Sequence, residues 1–244
     1  MLDIQRLTLK IPIINYVRNY VRHLGIGKSI LHMNRWIRQK YYYECIWHLK
    51  TKQKYLYLTF DDGPNPESTL FILHELKKHN AKATFFCIGR NVESHYMIYK
   101  KIIEEGHSVG NHTYDHLDGL ETNTETYMDN ISKAQSLINS NLFRPPYGNI
   151  TKSQLRKLRT EKHNLTPIMW SVSSRDFDLK NVSVEECYSL VTKQSTNGSI
   201  ILFHDLPLTM GRLRLVLPRI LNDFKQKGFQ FKKIDYNKLS KYVP

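Results

Sequence analysis

The chain has 244 residues, 41% of them apolar, enough to bury a full core in one large domain. Its three cysteines, Cys45, Cys87 and Cys187, are far apart and form no Cys-x-x-Cys pair, which argues against a disulfide scaffold and against a thiolate zinc site. The net charge of +14 is uneven: residues 1–54 hold eleven Lys and Arg against two acids, Asp3 and Glu44, a balance of +9, and the remainder carries +5.

In the basic segment Arg18, Arg22, Arg35, Arg38 and Lys40 are interleaved with Ile13, Ile14, Val17, Tyr20, Val21, Leu24, Trp36 and Ile37. This pattern predicts a basic, amphipathic, helical N-terminal extension over residues 1–53. Through residues 1–54 it suits peripheral contact with an anionic membrane or an anionic glycan. No nucleic-acid motif accompanies it, so no nucleic-acid partner is predicted. The apolar stretch Ile11–Ile14 is cut short by Asn15 and Arg18, no small-residue cleavage site follows, and no segment approaches the roughly 18 apolar residues of a spanning helix. A cytoplasmic protein, or one peripheral at the inner membrane surface, is the resulting expectation; oligomeric state carries no sequence signal.

From Tyr55 onward short apolar runs alternate with helical patterns. A strand over 55–60 precedes a helix over Glu67–His79, whose Leu70, Phe71, Leu73 and Leu76 suit packing on a sheet. Ala83–Ile88 reads as a strand, His95–Glu105 as a helix stopped by Gly106, and Ser108–Gly110 as a strand. Thr124–Asn139 is helical, Leu142–Arg144 extended, Thr151–Glu161 helical and Thr166–Val172 extended. Val184–Gln194 is helical, Ser199–His204 extended, Leu213–Lys227 helical and Phe229–Ile234 extended. About seven βα steps without a second domain predict an α/β protein closing as a (β/α) barrel, with the loops after the strands forming one mouth.

Chemistry-bearing residues fall at those strand ends. The first strand runs into Asp61-Asp62-Gly63; two buried acids cost stability unless a cation or a reaction uses them, and in an extended segment they face opposite ways. His112-Thr113-Tyr114-Asp115-His116 sets two imidazoles four residues apart, a spacing that would place them on one side of a helical turn. With Asp61 or Asp62 as third ligand they form a His2Asp set typical of catalytic zinc or a similar divalent ion. In Arg144-Pro145-Pro146-Tyr147-Gly148 the prolines stiffen the backbone, Arg144 can clamp a carboxylate, and the Tyr147 N–H can point at a ligand. The strand ending at His204 offers an imidazole able to protonate a leaving group when a carboxylate such as Asp176 orients it. Trp170 and Phe177 flank that acid as aromatic walls of a pocket.

In this order, Thr59-Phe60-Asp61-Asp62-Gly63, His112 to His116, Arg144 to Gly148, Ser173 to Phe177 and Leu202-Phe203-His204 resemble the five motifs of the polysaccharide deacetylase family. The family is also known as the NodB-homology domain or carbohydrate esterase family 4, and the resemblance covers about residues 54–235. It implies a deformed (β/α)7 barrel and a catalytic domain over 54–236, followed by a tail over 237–244. The implied activity is metal-dependent removal of the N-acetyl group from an N-acetylglucosamine (GlcNAc)-containing glycan. Asp62, His112 and His116 would hold a divalent ion, Zn2+ by preference, and Asp61 would act as general base. Arg144 would hold Asp61, the Tyr147 N–H would donate to the oxyanion, His204 would be the general acid tuned by Asp176, and Leu202 would shape the acetyl pocket.

The fourth motif departs from the family pattern. Ser173 stands where an acid is usual and Phe177 where a tryptophan is usual, which predicts weakened support around Arg144. Acetyl-ester hydrolysis, hydrolysis of a non-sugar amide, or a weakened glycan-binding module are the alternatives on the same scaffold.

Overall fold

The computed structural model describes residues 42–160 and 162–239. The chain divides into two compact units, Met1–Tyr43 and Glu44–Pro244, and the architecture below is that of the second. Most of the basic extension predicted over 1–53 therefore lies outside the described residues, as do residues 240–244 of the predicted tail. The second unit begins at Glu44, ahead of the change in composition near residue 54, because Ile46 bridges Ile168, His48 bridges Ser199, and Ile46 and Leu49 are buried.

The elements in chain order are β1 (Tyr55–Asp61), α1 (Ser68–Lys78), β2 (Ala83–Cys87), α2 (Gly89–Ser94), α3 (Tyr96–Glu104), β3 (Ser108–Asn111) and α4 (Thr124–Gln135). They continue with β4 (Leu142–Phe143), α5 (Lys152–Leu158), β5 (Thr166–Pro167), β6 (Val172–Ser173), α6 (Val184–Gln194), β7 (Ile200–His204), α7 (Met210–Gln226) and β8 (Gln230–Phe231). Seven strands pair in the order β5-β4-β3-β2-β1-β7-β6, every pair parallel, and β8 adds to the start of β1. The result is a curled parallel sheet with flanking helices, a deformed (β/α) barrel. All strands point the same way, so their C-terminal ends share one mouth.

The period-two alternation of each strand sorts its side chains between two cores. Leu56, Leu58 and Phe60 of β1, Phe85 of β2 and Ile201 and Phe203 of β7 face the helices, where they meet Ile72, Leu73 and Leu76 of α1 and Leu213, Val216, Leu217 and Ile220 of α7. Register partners Phe85, Phe60 and Phe203 stack across three adjacent strands, with ring centroids 5.3 and 5.9 Å apart. The other face looks into the barrel: Phe86, Leu142, Ile168 and Ile200 fill its floor with Tyr57 and Trp170. On that face, above the floor, Thr59 and Asp61 of β1 pair in register with Leu202 and His204 of β7.

Local signals fix several helix starts. Thr151 with Gln154 and Ser183 with Glu186 form capping boxes at α5 and α6, and the Asn123 side chain accepts from the Thr126 N–H at α4. Helix α2 was not expected, α7 begins before its expected start at Leu213, β8 is shorter than the expected Phe229–Ile234, and three further elements differ. The helix expected to Asn139 ends at Gln135, and the one expected to Glu161 ends at Leu158, each passing into turns. The single extended segment expected over Thr166–Val172 is two short strands. Between them the Ile168 and Met169 carbonyls bond the Arg144 side chain instead of a neighbouring strand. Among the described residues no helix is long and apolar enough to cross a membrane.

Candidate metal centre and active site

Asp62 closes β1 in the left-handed region at φ 78°, with its N–H donating to the Phe86 carbonyl and its own carbonyl accepting from the Asn91 side chain at 2.7 Å. With this turn both carboxylates approach His112 Nε2, Asp62 Oδ1 at 3.4 Å and Asp61 Oδ2 at 3.9 Å, instead of facing opposite ways. The two histidines do not lie on a helical turn, as their spacing suggested, but on a loop with Thr113 at φ 62° and His116 at φ 60°. The Asn111 side chain accepts from the Thr113 N–H, the Asn130 side chain accepts from the Tyr114 and Asp115 N–H groups, and the first N–H groups of α2 donate to the Thr113 and Tyr114 carbonyls. Among the described residues, five of the seven non-glycine residues with positive φ (Asp62, Thr113, His116, Tyr147 and Arg175) lie in the loops of this mouth. Backbone strain of about 1 kcal/mol each is thus concentrated where the chemistry-bearing side chains must be aimed.

Asp62, His112 and His116 offer one ligand atom each, all within 4.8 Å of one another. Asp62 Oδ1 stands 3.1 Å from His116 Nε2 and 3.4 Å from His112 Nε2, yet it is buried with no hydrogen-bond partner. The protonation of His112 explains why. Its Nδ1 lies 2.7 Å from the Arg144 carbonyl, which can only accept, so the proton of the neutral ring sits on Nδ1 and Nε2 presents a lone pair. Two acceptors facing each other need a cation between them. Adjacent donors of a tetrahedral zinc site with bonds near 2.0–2.1 Å stand about 3.3 Å apart, the spacing found here.

Asp61 faces the barrel interior and is nearly buried. Arg144, fully buried, donates through one Nη1 to Asp61 Oδ1 and Thr59 Oγ1 at 2.7 Å each, through Nε to the Ile168 carbonyl at 3.0 Å and through Nη2 to the Met169 carbonyl at 2.9 Å. Its guanidinium lies over Phe86 at 4.1 Å and beside Trp170 at 5.7 Å. The support for Arg144 is therefore built from carbonyls and Thr59. Ser173, expected to leave that support deficient, has its hydroxyl turned to the Arg175 N–H at 3.3 Å.

Across the mouth, His204 Nδ1 lies 2.8 Å from Asp176 Oδ1, and the His204 N–H donates to Asp176 Oδ2 at 2.8 Å. Asp176 is fully buried and also accepts from the Ser174 hydroxyl. Burial by itself would depress the His204 imidazole, but Asp176, with Asp62 and Asp61 beyond it, lifts it to about 9. Phe177 meets the His204 ring edge-on at 5.1 Å and Tyr147 meets His116 edge-on at 4.7 Å, so two exposed aromatic rings flank the centre. Leu202 lies in register between Thr59 and Ser173.

Several contributors escaped sequence reasoning. Thr59 was readable in principle, since period two puts it on the same strand face as Asp61. Arg212 of α7 gathers the carbonyls of Arg175, Asp176, Asp178 and Val182 and so ties down the loop carrying Asp176; no spacing rule marks it. Asp205 is buried between Ser68 and Thr69, and burial pushes its carboxyl up to about 7 against the lowering effect of the two hydroxyls.

The comparisons with known proteins agree with this geometry. A family profile described as polysaccharide deacetylase matches residues 48–166. A peptidoglycan-N-acetylglucosamine deacetylase of Bacillus cereus is 41% identical over 183 residues, 71% of this chain but 64% of that protein, so the match spans just under two thirds of the relative's length. A chitooligosaccharide deacetylase of Azorhizobium caulinodans is 35% identical, covering 63% of this chain and 74% of that one. Among solved structures, a peptidoglycan N-acetylglucosamine deacetylase in complex with 4-naphthalen-1-yl-N-oxidanyl-benzamide superposes with a TM-score of 0.73 at 34% identity, covering 80% of this chain and 93% of that one.

Proposed function

The chain belongs to the polysaccharide deacetylase family, and from that premise we propose that it hydrolyses the N-acetyl group of a GlcNAc-containing glycan, releasing acetate and a free amine. The observation that carries the proposal is the convergence of Asp62, His112 and His116, with Asp62 Oδ1 buried and unpartnered, beside an acid held by Arg144 and a histidine held by Asp176. Asp62, His112 and His116 would hold a divalent ion, Zn2+ by the character of the donor set. Bound there, it would supply Lewis acidity toward the acetyl carbonyl and activation of the attacking water.

Asp61, oriented by its 2.7 Å contact with Arg144, takes the proton from that water. The Tyr147 N–H, presented by a residue held at φ 58° after two prolines, donates to the oxygen on which negative charge develops. His204 stands opposite as the acid, since Asp61 and His204 are register partners on adjacent strands. Lifted to about 9, it is protonated near neutrality and delivers its proton to the departing amine. Leu202 receives the acetyl methyl, and Tyr147 and Phe177 border the sugar.

The test is acetate release, with and without added Zn2+, from GlcNAc oligomers, peptidoglycan and acetylated xylan, by the parent and by Asp61→Asn. Zinc-dependent release from an N-acetylated substrate, lost in Asp61→Asn, is expected. Release from xylan alone would assign an esterase, and glycan binding without release from any of the three would assign a binding module.

A further inference from the structure

The corner formed by Asp61, Asp62 and Gly63 is held from two sides. From β2 and α2 come the Phe86 carbonyl on the Asp62 N–H, the Asn91 side chain on the Asp62 carbonyl, and the Ile88 N–H on the Gly63 carbonyl at 2.9 Å. From β7 comes Asp205. Its N–H donates to the Asp61 carbonyl at 2.6 Å, and its carboxylate accepts from the Ser68 hydroxyl at 2.6 Å and the Thr69 hydroxyl at 2.5 Å. Thr69 Oγ1 in turn accepts from the Asn65 N–H at 2.7 Å, closing the far end of the same loop. Asp205, Ser68 and Thr69 are all fully buried, and the Asp205 carboxylate has no salt-bridge partner among the described residues. A buried carboxylate satisfied by hydroxyls alone is costly, which asks for a reason.

Gly63 supplies the reason. A Cβ added there would stand 2.1 Å from Asp205 Oδ2, although the Gly63 backbone is not in the left-handed region. The glycine is required by the approach of the carboxylate and not by its own dihedral angles. Asp205 therefore packs directly on the residue following Asp62, while its own backbone adjoins His204 and bonds Asp61.

We propose that Asp205 is a positioning residue that locks the Asp61–Asp62–Gly63 corner to the end of β7, fixing the Asp62 carboxylate for cation binding and setting Asp61 against His204. This rests on the metal-dependent reading above. Asp205 touches neither substrate nor cation; it acts through the backbone of Asp61 and Gly63. Supporting partners behind a ligand typically govern about 10- to 100-fold of metal affinity.

The experiment measures the Zn2+ dissociation constant of the full-length protein, without substrate, by competition with a chromophoric chelator, alongside far-UV circular dichroism. Asp205→Asn is expected to keep the parent spectrum and to weaken Zn2+ binding by about 10- to 100-fold. Thr69→Val keeps the Asp205 side chain and removes one of its holders, so it tests the hydrogen-bonded position without replacing the residue; a weakening of about threefold or more is expected. Ser68→Ala gives the same readout if Asp205→Asn does not fold. Affinities within twofold of the parent in folded variants would overturn the assignment, as would a loss confined to Asp205→Asn with Thr69→Val and Ser68→Ala unchanged. A parent that binds no Zn2+ would instead overturn the metal reading itself, and the positioning role with it.

Discussion

Asp176→Asn removes the charge that tunes His204. Asparagine keeps the size and one acceptor oxygen, which can serve Nδ1 or the His204 N–H but not both as Asp176 does at 2.8 Å each. In the parent that charge is the main opponent of burial and lifts the imidazole from an ordinary 6.5 to about 9. Without it, burial is opposed only by the Asp62 and Asp61 charges, and the imidazole falls toward its ordinary value. The difference of about 2.5 pH units corresponds to on the order of 3 kcal/mol. The sign follows from the folded-state value being the higher one: this stabilisation is fully present below about 6.5 and is lost as pH rises through about 9. The assay is a histidine titration by NMR in the metal-free protein, paired with denaturant unfolding at pH 6 and pH 10. The parent should lose a component of that order between the two pH values, and Asp176→Asn should lose little of it. Under the proposed mechanism the lowered imidazole is less protonated at pH 8, so the variant's acid-dependent turnover should fall and the basic limb of its pH profile should move to lower pH. A variant whose His204 titrates within half a unit of the parent would refute the reasoning.

His112→Ala removes one of three ligands together with the imidazole that bonds the Arg144 carbonyl. Chelator competition should show Zn2+ affinity lowered by at least two orders of magnitude, and Zn2+ should raise the thermal midpoint of the parent but not of the variant. Arg144→Met strands a buried Asp61 and leaves the Ile168 and Met169 carbonyls without their donor. Denaturant unfolding should register a loss of about 3–5 kcal/mol, and Arg144→Lys should recover little because one ammonium cannot span those four acceptors. Ser173→Asp restores the acid usual in the family; if Arg144 were short of support, turnover would rise by about 10-fold or more. Because its donors are already engaged, a change below about threefold in acetate release is expected.

What could be read from the sequence was what has a period or a spacing. Alternation in Leu56, Leu58, Phe60 against Thr59, Asp61 marked β1, and the i, i+3, i+4 pattern of Leu213, Val216, Leu217, Ile220 marked α7. Asp61, Asp62 and His204 were visible because they follow apolar runs, and His112 and His116 because of their spacing. Helix α2 was not visible. Its Gly89-Arg90-Asn91-Val92-Glu93-Ser94 buries only Gly89 and Val92 and has no side-chain cap, so neither periodicity nor capping marks it. Yet its first N–H groups hold the histidine loop and its Asn91 holds Asp62. The pairing of His112 and His116 was read correctly from spacing while its local form was not. Four-residue spacing fits a helical turn, but Asn111 and Asn130 hold this segment as a loop with two left-handed residues, a tertiary effect that no local propensity records.

The departure at Ser173 looks different once Arg144 is seen in place. A guanidinium has five N–H donors, and four donor contacts from Arg144 reach Thr59, Asp61 and the carbonyls of Ile168 and Met169. Those carbonyls lie between β5 and β6, where they accept from the Arg144 side chain and from no neighbouring strand. A second carboxylate would add negative charge near a site already lined by Asp61, Asp62, Asp176 and Asp205, all buried. Thus the serine costs the arginine little, and its hydroxyl is used on the Arg175 N–H, in the turn that presents Asp176 to His204. The fourth motif keeps the residue that orients the acid and dispenses with one that the backbone carbonyls replace.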